Sequence, residues 1–260
     1  AEAVERMRRQ IITGLIEDKE DPNTNGGRLW FKTAFPGHPY GPSSKGSVET
    51  VTAITSDDLR GFLVKALARD RLTIGVVGDI SADELGPLLD RTFGALVPGA
   101  DFKPVPEIMP QGAGVLKVVQ RDIPQSRVIF GGPGLKRNDP DWYAAYVLNY
   151  VLGGGGFSSR LNEEVREKRG LAYSVYSYLY PLDHAAIHMG GVGTQNGRVA
   201  DALKVIMAQL ALARDKGITA VELANAKQFL NGSFPLRLTS SGRIARLLLA
   251  IQRENLGIDY

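Results

Sequence analysis

The stretch GFSSRLNEEVREKRGLAYSV, residues 156–175, has the most distinctive pattern in the chain. It begins with small residues, continues through interspersed acidic and basic side chains, and ends with aliphatic and aromatic ones. The charged part predicts a solvent-exposed helix from about Ser158 to Arg169, which Gly170 ends because glycine favours the backbone conformation that follows a helix. We predict a strand directly afterwards, near Ala172 to Tyr180.

Helix signals occur on both sides of this stretch. A capping box, in which a hydroxyl and a carboxylate three residues later satisfy free amides, predicts helices after Ser81 and Thr219. Ser56 and Asp139 are predicted N-caps of two more helices. The other predicted segments are helices at about Glu2–Asp18, Arg28–Phe35, Arg198–Lys216 and Arg243–Glu254, and a polar loop over residues 20–27.

Hydrophobic runs predict the remaining strands at Leu72–Val77, Val115–Gln120, Arg127–Phe130 and near Ala185–Val192. Strands paired with blocks of helices, without strict β-α-β alternation, predict an α+β fold in two lobes. Prolines and glycines interrupt the pattern between these lobes, so residues 98–114 are the predicted linker.

The composition excludes several classes of protein. Lysine and arginine number 31 against 28 acidic residues, and no run of like charge indicates an arm that binds nucleic acid. No apolar stretch is long enough to predict a membrane span. The chain has no cysteine, which excludes thiol catalysis, disulfides and cysteine-ligated zinc. Because it starts inside a helical pattern without methionine, we expect it to be a piece of a longer protein.

Two histidines raise the question of a metal site. His184 and His188 have the spacing that lets two imidazoles share a metal on one face of a helix. Ala185 and Ala186 stand between them, so no glutamate is placed as a base. The segment also predicts a turn into a strand, where the two positions lie roughly 13 Å apart. His38, the third histidine, is in a proline-rich loop, and we predict no metal site in this chain.

Four consecutive glycines, residues 153–156, raise the alternative of a phosphate-binding loop. A Walker loop requires Gly-Lys-Ser/Thr, and a dinucleotide fingerprint follows a strand, whereas this run follows a predicted helix and continues as Gly-Phe-Ser. A tight chain reversal that lets two helices and a sheet approach closely explains the glycines better.

Residues 156–175 resemble the pitrilysin/insulysin (M16) family of zinc peptidases, and a weaker similarity covers nearly the whole chain. The resemblance implies α/β-roll lobes, with antiparallel-rich sheets packed against helices, that enclose a peptide-binding chamber. It assigns residues 1–97 to the latter part of one family half and residues 112–260 to most of the next half, with the first and last parts truncated.

In this family the second half supplies an arginine and a tyrosine seven residues apart, which contact the substrate backbone, and Arg166 and Tyr173 match that spacing. A guanidinium and a phenol can both donate hydrogen bonds to a peptide carbonyl. The alternative from the residues alone is that Arg166 pairs with Glu163 or Glu167 and Tyr173 packs. The resemblance also places a loop of the chamber nearby, at Gly155, Gly156, Phe157 and Ser158.

The sequence departs from catalytic members of the family. It contains no H-x-x-E-H motif, and alignment of its first helix places Gly14 at the distal glutamate ligand and Met7 at an upstream acidic position. Glycine has no side chain with which to bind zinc. We therefore expect no metal and no cofactor in this chain, and no activity of the chain alone.

The resemblance implies a non-catalytic subunit that completes the peptide-binding chamber of a partner, with zinc in the partner subunit and an extended peptide as substrate. The expected assembly is a heterodimer in a bacterial envelope or periplasm rather than the cytoplasm. Two alternatives remain: a fragment of a complete zinc metalloendopeptidase, and a stand-alone peptide-binding or scaffold module.

Overall fold

The computed structural model describes residues 2–99, 102–258 and 260. The chain divides into two compact units that interleave along the sequence. The first unit comprises Ala1–Gln10, Glu49–Pro104 and Leu230–Tyr260, and the second comprises Ile11–Val48 and Val105–Phe229. The assignment of residues 1–97 and 112–260 to two family halves stays a prediction. Two residues of the predicted linker, Ala100 and Asp101, lie outside the described residues.

The second unit is built on an antiparallel sheet of strands β1 (Gln125–Pro133), β2 (Ser174–Leu182) and β3 (Ala185–Gln195), in the order β1-β3-β2. Strand β3 is central, and a tight turn at Asp183 and His184 joins it to β2. The strands predicted near these three positions are confirmed, because each has the alternation or the β-branched content of a half-buried strand.

One face of this sheet carries the larger hydrophobic core. Helix α6 (Trp142–Asn149) continues into a π-helical turn at Tyr150–Gly154, and α7 (Val199–Lys216) covers the same face. The members of the core are Leu152, Leu161, Val165, Ala172, Val175, Val192, Ala202, Ile206 and Ala213. The predicted glycine-rich reversal is confirmed, since a Cβ at Gly153 would lie 2.6 Å from the Ser177 amide nitrogen of β2.

The opposite face packs against helix α2 (Pro22–Ala34). Trp30 and Phe31 of α2 cover a second cluster that includes Ile187 and Met189 of β3. The loop predicted over residues 20–27 is therefore wrong except at Asp21, because α1 extends to Glu20 and α2 begins at Pro22. Asp21 caps α2, accepting hydrogen bonds from the Asn23 and Thr24 amides, and Pro22 occupies the first turn, where its missing N–H costs nothing.

The first unit is mainly helical. Helix α1 (Glu2–Glu20) begins in it and continues into the second unit, and α8 (Ala220–Ser233) ends in it. Its own helices are α3 (Val48–Ala53), α4 (Ser56–Ala66), α5 (Ala82–Phe93) and α9 (Ser241–Arg253). The capping box at Ser81 and Glu84 is confirmed at the start of α5. The N-cap of α4 is Thr55 and not the predicted Ser56, because Thr55 and Asp58 form the reciprocal hydrogen bonds of a second box.

Two predicted strands are wrong. Residues 72–77 form no strand; the backbone at Gly75 lies against α9, where a Cβ would be 2.8 Å from the Ala245 carbonyl oxygen. Residues 102–124 form no helix or strand, and Leu116 of the predicted strand 115–120 is 80% exposed. Neither hydrophobic run has a neighbouring strand within the described residues to complete a ladder.

The remaining helix predictions differ by a few residues. Helix α6 follows Asp141 and not the predicted cap Asp139, whose carboxylate instead accepts a hydrogen bond from the Asp141 amide. The Thr219 capping box at the start of α8 is confirmed by its reciprocal bonds with Glu222. Within the described residues, no helix combines the length and the hydrophobicity that a membrane span requires.

Candidate functional site

The stretch 156–175 starts with a 3-10 turn at Gly156–Ser158 and continues into a π-helical segment at Asn162–Glu167. The predicted helix therefore starts later than Ser158 and is mostly of the wider π type. Leu161 and Val165 are fully buried in the larger core and anchor one side of this segment. Its other side, which carries Arg166, faces outward.

The base of this segment is fixed by an ion pair between Arg160 and Glu222 of α8. Arg160 uses both Nε and Nη2 for the two carboxylate oxygens, with Nη2 2.6 Å from Oε2, and Nη2 also donates to the Gly217 carbonyl. The Arg160 side chain is only 12% exposed. The hydrogen bond from Arg160 is the main cause that lowers the pKa of Glu222 to about 2. Bidentate geometry in partly buried surroundings makes this pair a rigid support.

Arg166 lies on the outer rim of the same segment. Its guanidinium carbon is 4.8 Å above the centre of the Phe157 ring, a cation–π contact. Its Nε is 3.7 Å from Glu167 Oε1, so the pairing with Glu167 that the sequence left open is present as a long contact between exposed groups. Glu163 instead pairs with Lys168. Such exposed pairs are weak, and 36% of the Arg166 side chain remains exposed.

Tyr173 lies immediately before β2. Its amide donates to the Gly193 carbonyl at 2.9 Å, which extends the ladder between β2 and β3 by one residue. The side chain does not pack in the core, since the residue is 55% exposed. The phenol oxygen accepts a hydrogen bond from Gln195 Nε2 at 3.2 Å, which leaves its own hydrogen available to another acceptor.

A braced turn separates these two residues. The Gly170 amide donates to the Arg166 carbonyl and the Leu171 amide to the Val165 carbonyl, both at 2.9 Å. Gly170 has a φ of +59°, a value that glycine adopts without strain. Arg198 Nη1 donates to the Gly170 carbonyl at 2.8 Å. The backbone between Arg166 and Tyr173 is thus held at several points, which limits the positions both side chains can reach.

Of the predicted chamber loop, Phe157 contacts the candidate site most directly. It is 75% exposed and its ring supports Arg166, whereas Ser158 is exposed beside it. A Cβ at Gly155 would lie 2.7 Å from the Tyr150 carbonyl, so Gly155 serves the close packing of the turn. Gly156 has a φ of +59°. A role of these four residues in substrate binding stays a prediction.

Strand β2 also carries a row of aromatic side chains that was not predicted from the sequence. Tyr176, Tyr178 and Tyr180 occupy alternate positions of β2 on the face that packs against α2, where they stay partly exposed, and neighbouring ring centres are 6.1 and 6.2 Å apart. Burial raises the pKa of Tyr178, whose hydroxyl is 3.7 Å from Met189 Sδ. The alternation Tyr-x-Tyr-x-Tyr was a readable signal, because side chains two residues apart in a strand share a face.

The three histidines occupy separate surroundings. His184 Nδ1 is 3.3 Å from Glu107 Oε1, His188 Nε2 is 3.1 Å from Asn149 Oδ1, and His38 Nε2 is 2.9 Å from the Pro106 carbonyl. Burial lowers the pKa of His188. Among residues 2–99, 102–258 and 260, no three His, Cys, Asp or Glu side chains are grouped so that they could hold a metal ion.

The antiparallel sheet, with helices packed against both of its faces, defines an α+β domain. A family model described as the peptidase M16 inactive domain matches residues 53–230. The chain therefore belongs to the peptidase M16 family, and the resemblance predicted from residues 156–175 is confirmed.

Curated relatives agree with this assignment. An uncharacterized zinc protease of Streptomyces coelicolor is 33% identical over 254 residues, which cover 94% of this chain and 54% of the relative. A non-peptidase homolog of Helicobacter pylori is 30% identical over 240 residues, which cover 90% of this chain and 54% of the relative. The chain thus spans about half the length of these relatives.

Solved structures confirm the fold. A crystal structure of a peptidase M16 inactive domain from Pseudomonas fluorescens has a TM-score of 0.90 and 30% identity, over all of this chain and 62% of that one. A protease from Helicobacter pylori has a TM-score of 0.81 at 22% identity, over 98% of this chain and 62% of that one. The predicted α+β class is therefore confirmed.

Proposed function

We propose that this chain belongs to a non-catalytic M16 subunit that completes the peptide-binding chamber of a partner zinc metallopeptidase. The observation that carries the proposal is the exposure of Arg166 and Tyr173 at the two ends of one braced turn. Both side chains keep hydrogen-bond donors free while the backbone between them is fixed, which suits the recognition of an extended peptide.

The chemistry of the two side chains fits peptide carbonyls. A guanidinium presents several N–H donors in one plane, and a phenol presents one O–H donor. Phe157 supports the guanidinium of Arg166 and Gln195 positions the hydroxyl of Tyr173. Because both donors are oriented in advance, less conformational entropy is lost when a peptide binds. Recognition through the backbone would tolerate many peptide sequences.

The zinc that the family uses does not fit the residues of this chain. The chain has no H-x-x-E-H motif, and Gly14 stands where its alignment with the family expects a glutamate ligand. A Cβ built at Gly14 of α1 meets no atom within 4 Å, so space for a larger residue exists there, but glycine offers no donor. We assign the zinc, and the hydrolytic step, to the partner subunit.

The names of several relatives favour a second candidate function. The Streptomyces coelicolor relative is named a zinc protease, and the chain spans only about half of it. A complete zinc metalloendopeptidase with its ligands elsewhere would then contain this chain as its peptide-contacting half. The Helicobacter pylori relative, named a non-peptidase homolog, favours the first candidate or a binding or scaffold module.

Zinc content and peptidase activity of the full-length protein distinguish these candidates. Each is measured for the protein alone, for an M16 protein that carries H-x-x-E-H from the same organism, and for their mixture. Our proposal predicts activity that requires the mixture and zinc bound only by the second protein. Stoichiometric zinc and activity in the protein alone would contradict it and establish the complete peptidase.

A further inference from the structure

Arg127 of β1 reaches across the sheet at the end that carries Tyr173. In the strand register, Gly193 of β3 pairs with Arg127 on one side and with Ser174 of β2 on the other. The Arg127 guanidinium passes over Gly193, in the space that a Cβ there would need, and its Nη1 donates to Ser174 Oγ at 3.2 Å. Only glycine at position 193 permits this crossing.

The guanidinium has no anionic partner in the part of the chain that the structure describes. Arg127 is exposed, and it forms no ion pair with an acidic side chain among those residues. Ser174 accepts the bond from Arg127, so the serine hydroxyl hydrogen stays available to an acceptor. Several N–H donors and one O–H donor thus face the same space, without an acceptor that carries charge.

This donor group lies next to the residues proposed to hold the peptide. The Tyr173 amide donates to the carbonyl of the same Gly193, and the Tyr173 hydroxyl accepts from Gln195, two residues further along β3. Ser174 directly follows Tyr173 in the chain. Tyr176 lies two residues after Ser174 on the same face of the sheet, with its ring over Gly191. Gln195 and Gly193 share one face of β3, so the Tyr173 hydroxyl held by Gln195 lies on the side of the sheet that Arg127 crosses, and a peptide that contacts this hydroxyl comes within reach of Arg127.

We propose that Arg127 and Ser174 form a subsite for a carboxylate of the bound peptide. This inference rests on the proposed peptide-binding function and names one chemical preference of it. A carboxylate accepts two parallel N–H bonds from a guanidinium, which makes the contact strong and directional. The carboxylate comes from an aspartate or glutamate side chain or from the peptide C-terminus, two sources with the same chemistry at this position.

The test measures binding of fluorescent peptides to the full-length protein by anisotropy at low ionic strength. Matched peptides differ only in one group: glutamate or glutamine at a single internal position, and a free or an amidated C-terminus. We expect the carboxylate form to bind about tenfold more tightly, in one pair or the other, a ratio that corresponds to about 1.4 kcal/mol. The preference should shrink in 1 M salt, where charges are strongly screened.

Two variants test the charge of Arg127 and the position of its guanidinium separately. Arg127→Gln should abolish the preference for carboxylate while the affinity for the neutral peptides stays unchanged. Gly193→Ala keeps the arginine but occupies the space its guanidinium crosses, so we expect the preference to fall by severalfold. Arg214→Gln removes an exposed arginine of α7 that pairs with Asp215, and it should leave the preference intact.

The possible results distinguish failure of the carboxylate subsite from failure of the proposed peptide-binding function. Neutral peptides that bind as well as their carboxylate forms would overturn the subsite and leave the peptide-binding function standing. A preference that survives in Arg127→Gln would also overturn it, because the carboxylate would then bind elsewhere. Failure of every peptide to bind would overturn the proposed function together with the inference.

Discussion

Two arginines of the stretch 156–175, Arg160 and Arg166, have opposite surroundings. Arg160 is largely buried and is held by both oxygens of Glu222 and by a backbone carbonyl. Arg166 lies over an exposed aromatic ring, with one long contact to a neighbouring carboxylate. Arg160 uses Nε and Nη2 to hold the fold, and its Nη1 is buried without a hydrogen-bond partner among the described residues, whereas Arg166 makes the two weaker contacts just given. The same residue type thus contributes to stability where the segment joins α8, and under the proposed function it binds peptide at the rim.

Mutation of the Arg160–Glu222 ion pair should change the free energy of unfolding more than any other proposed substitution. Arg160→Met leaves the Glu222 carboxylate without its partner in partly buried surroundings, and removing one member of such a pair costs about 3 kcal/mol of unfolding free energy. Urea denaturation of the wild type and the variant measures this difference. Arg214→Met, which breaks an exposed pair, is the matched control and should cost less than about 0.5 kcal/mol. Equal losses of stability in Arg160→Met and Arg214→Met would show that the Arg160–Glu222 pair contributes no more than an exposed ion pair.

Low pH should weaken the ion pair between Arg160 and Glu222. The pKa of Glu222 is lowered from 4.5 to about 2, so its contribution is fully present above the unfolded value and is lost as pH falls toward 2. We expect the stability advantage of the wild type over Glu222→Gln to shrink by about 2 kcal/mol between pH 6 and pH 2. An advantage that is independent of pH in this range would show that the pair is not ionised as described.

Changes at the rim should affect binding and spare the fold. Arg166→Lys keeps the charge but loses the planar arrangement of donors, so we expect peptide affinity to fall about fivefold with little change in stability. Fluorescence anisotropy and urea denaturation of the same samples check both halves of this statement. A loss of stability similar to that of Arg160→Met would show that Arg166 has a structural role as well.

The smallest effect is expected at the aromatic support of the rim. Phe157→Ala removes the ring beneath Arg166, and an exposed cation–π contact contributes about 0.5–1 kcal/mol. Peptide affinity should therefore fall about threefold, because the guanidinium loses its orientation. Phe229→Ala is the matched control, since that exposed ring stacks on Tyr150 and does not contact Arg166. A similar loss in both variants would argue against a specific support.

Local signals predicted much of the fold around this site. The capping boxes at Ser81 and Thr219 work through residues three apart, so the sequence alone contains all of their partners. The alternation in β2 and the charged segment before it are local in the same way. The family resemblance then added the expectation that Arg166 and Tyr173 contact the peptide together, which composition and spacing leave open.

Non-local features could not be predicted. The runs at residues 72–77 and 115–120 have the hydrophobic pattern of strands. A strand also requires a neighbouring strand to pair with, and the hydrophobic pattern does not identify that partner. The polar sequence after Asp21 suggested a loop, although the same carboxylate caps a helix. Arg127 and Tyr173 are 46 residues apart in the chain, and only the register of three strands brings both to Gly193.

The most direct test of the proposed peptide contact is the peptide affinity of Arg166→Ala/Tyr173→Phe in the full-length protein, measured beside its urea stability. Both substitutions remove donors from exposed side chains, so the account predicts at least tenfold weaker binding and stability within about 0.5 kcal/mol of the wild type. Unchanged peptide affinity in a folded double variant would contradict the account, because the rim would then hold no peptide.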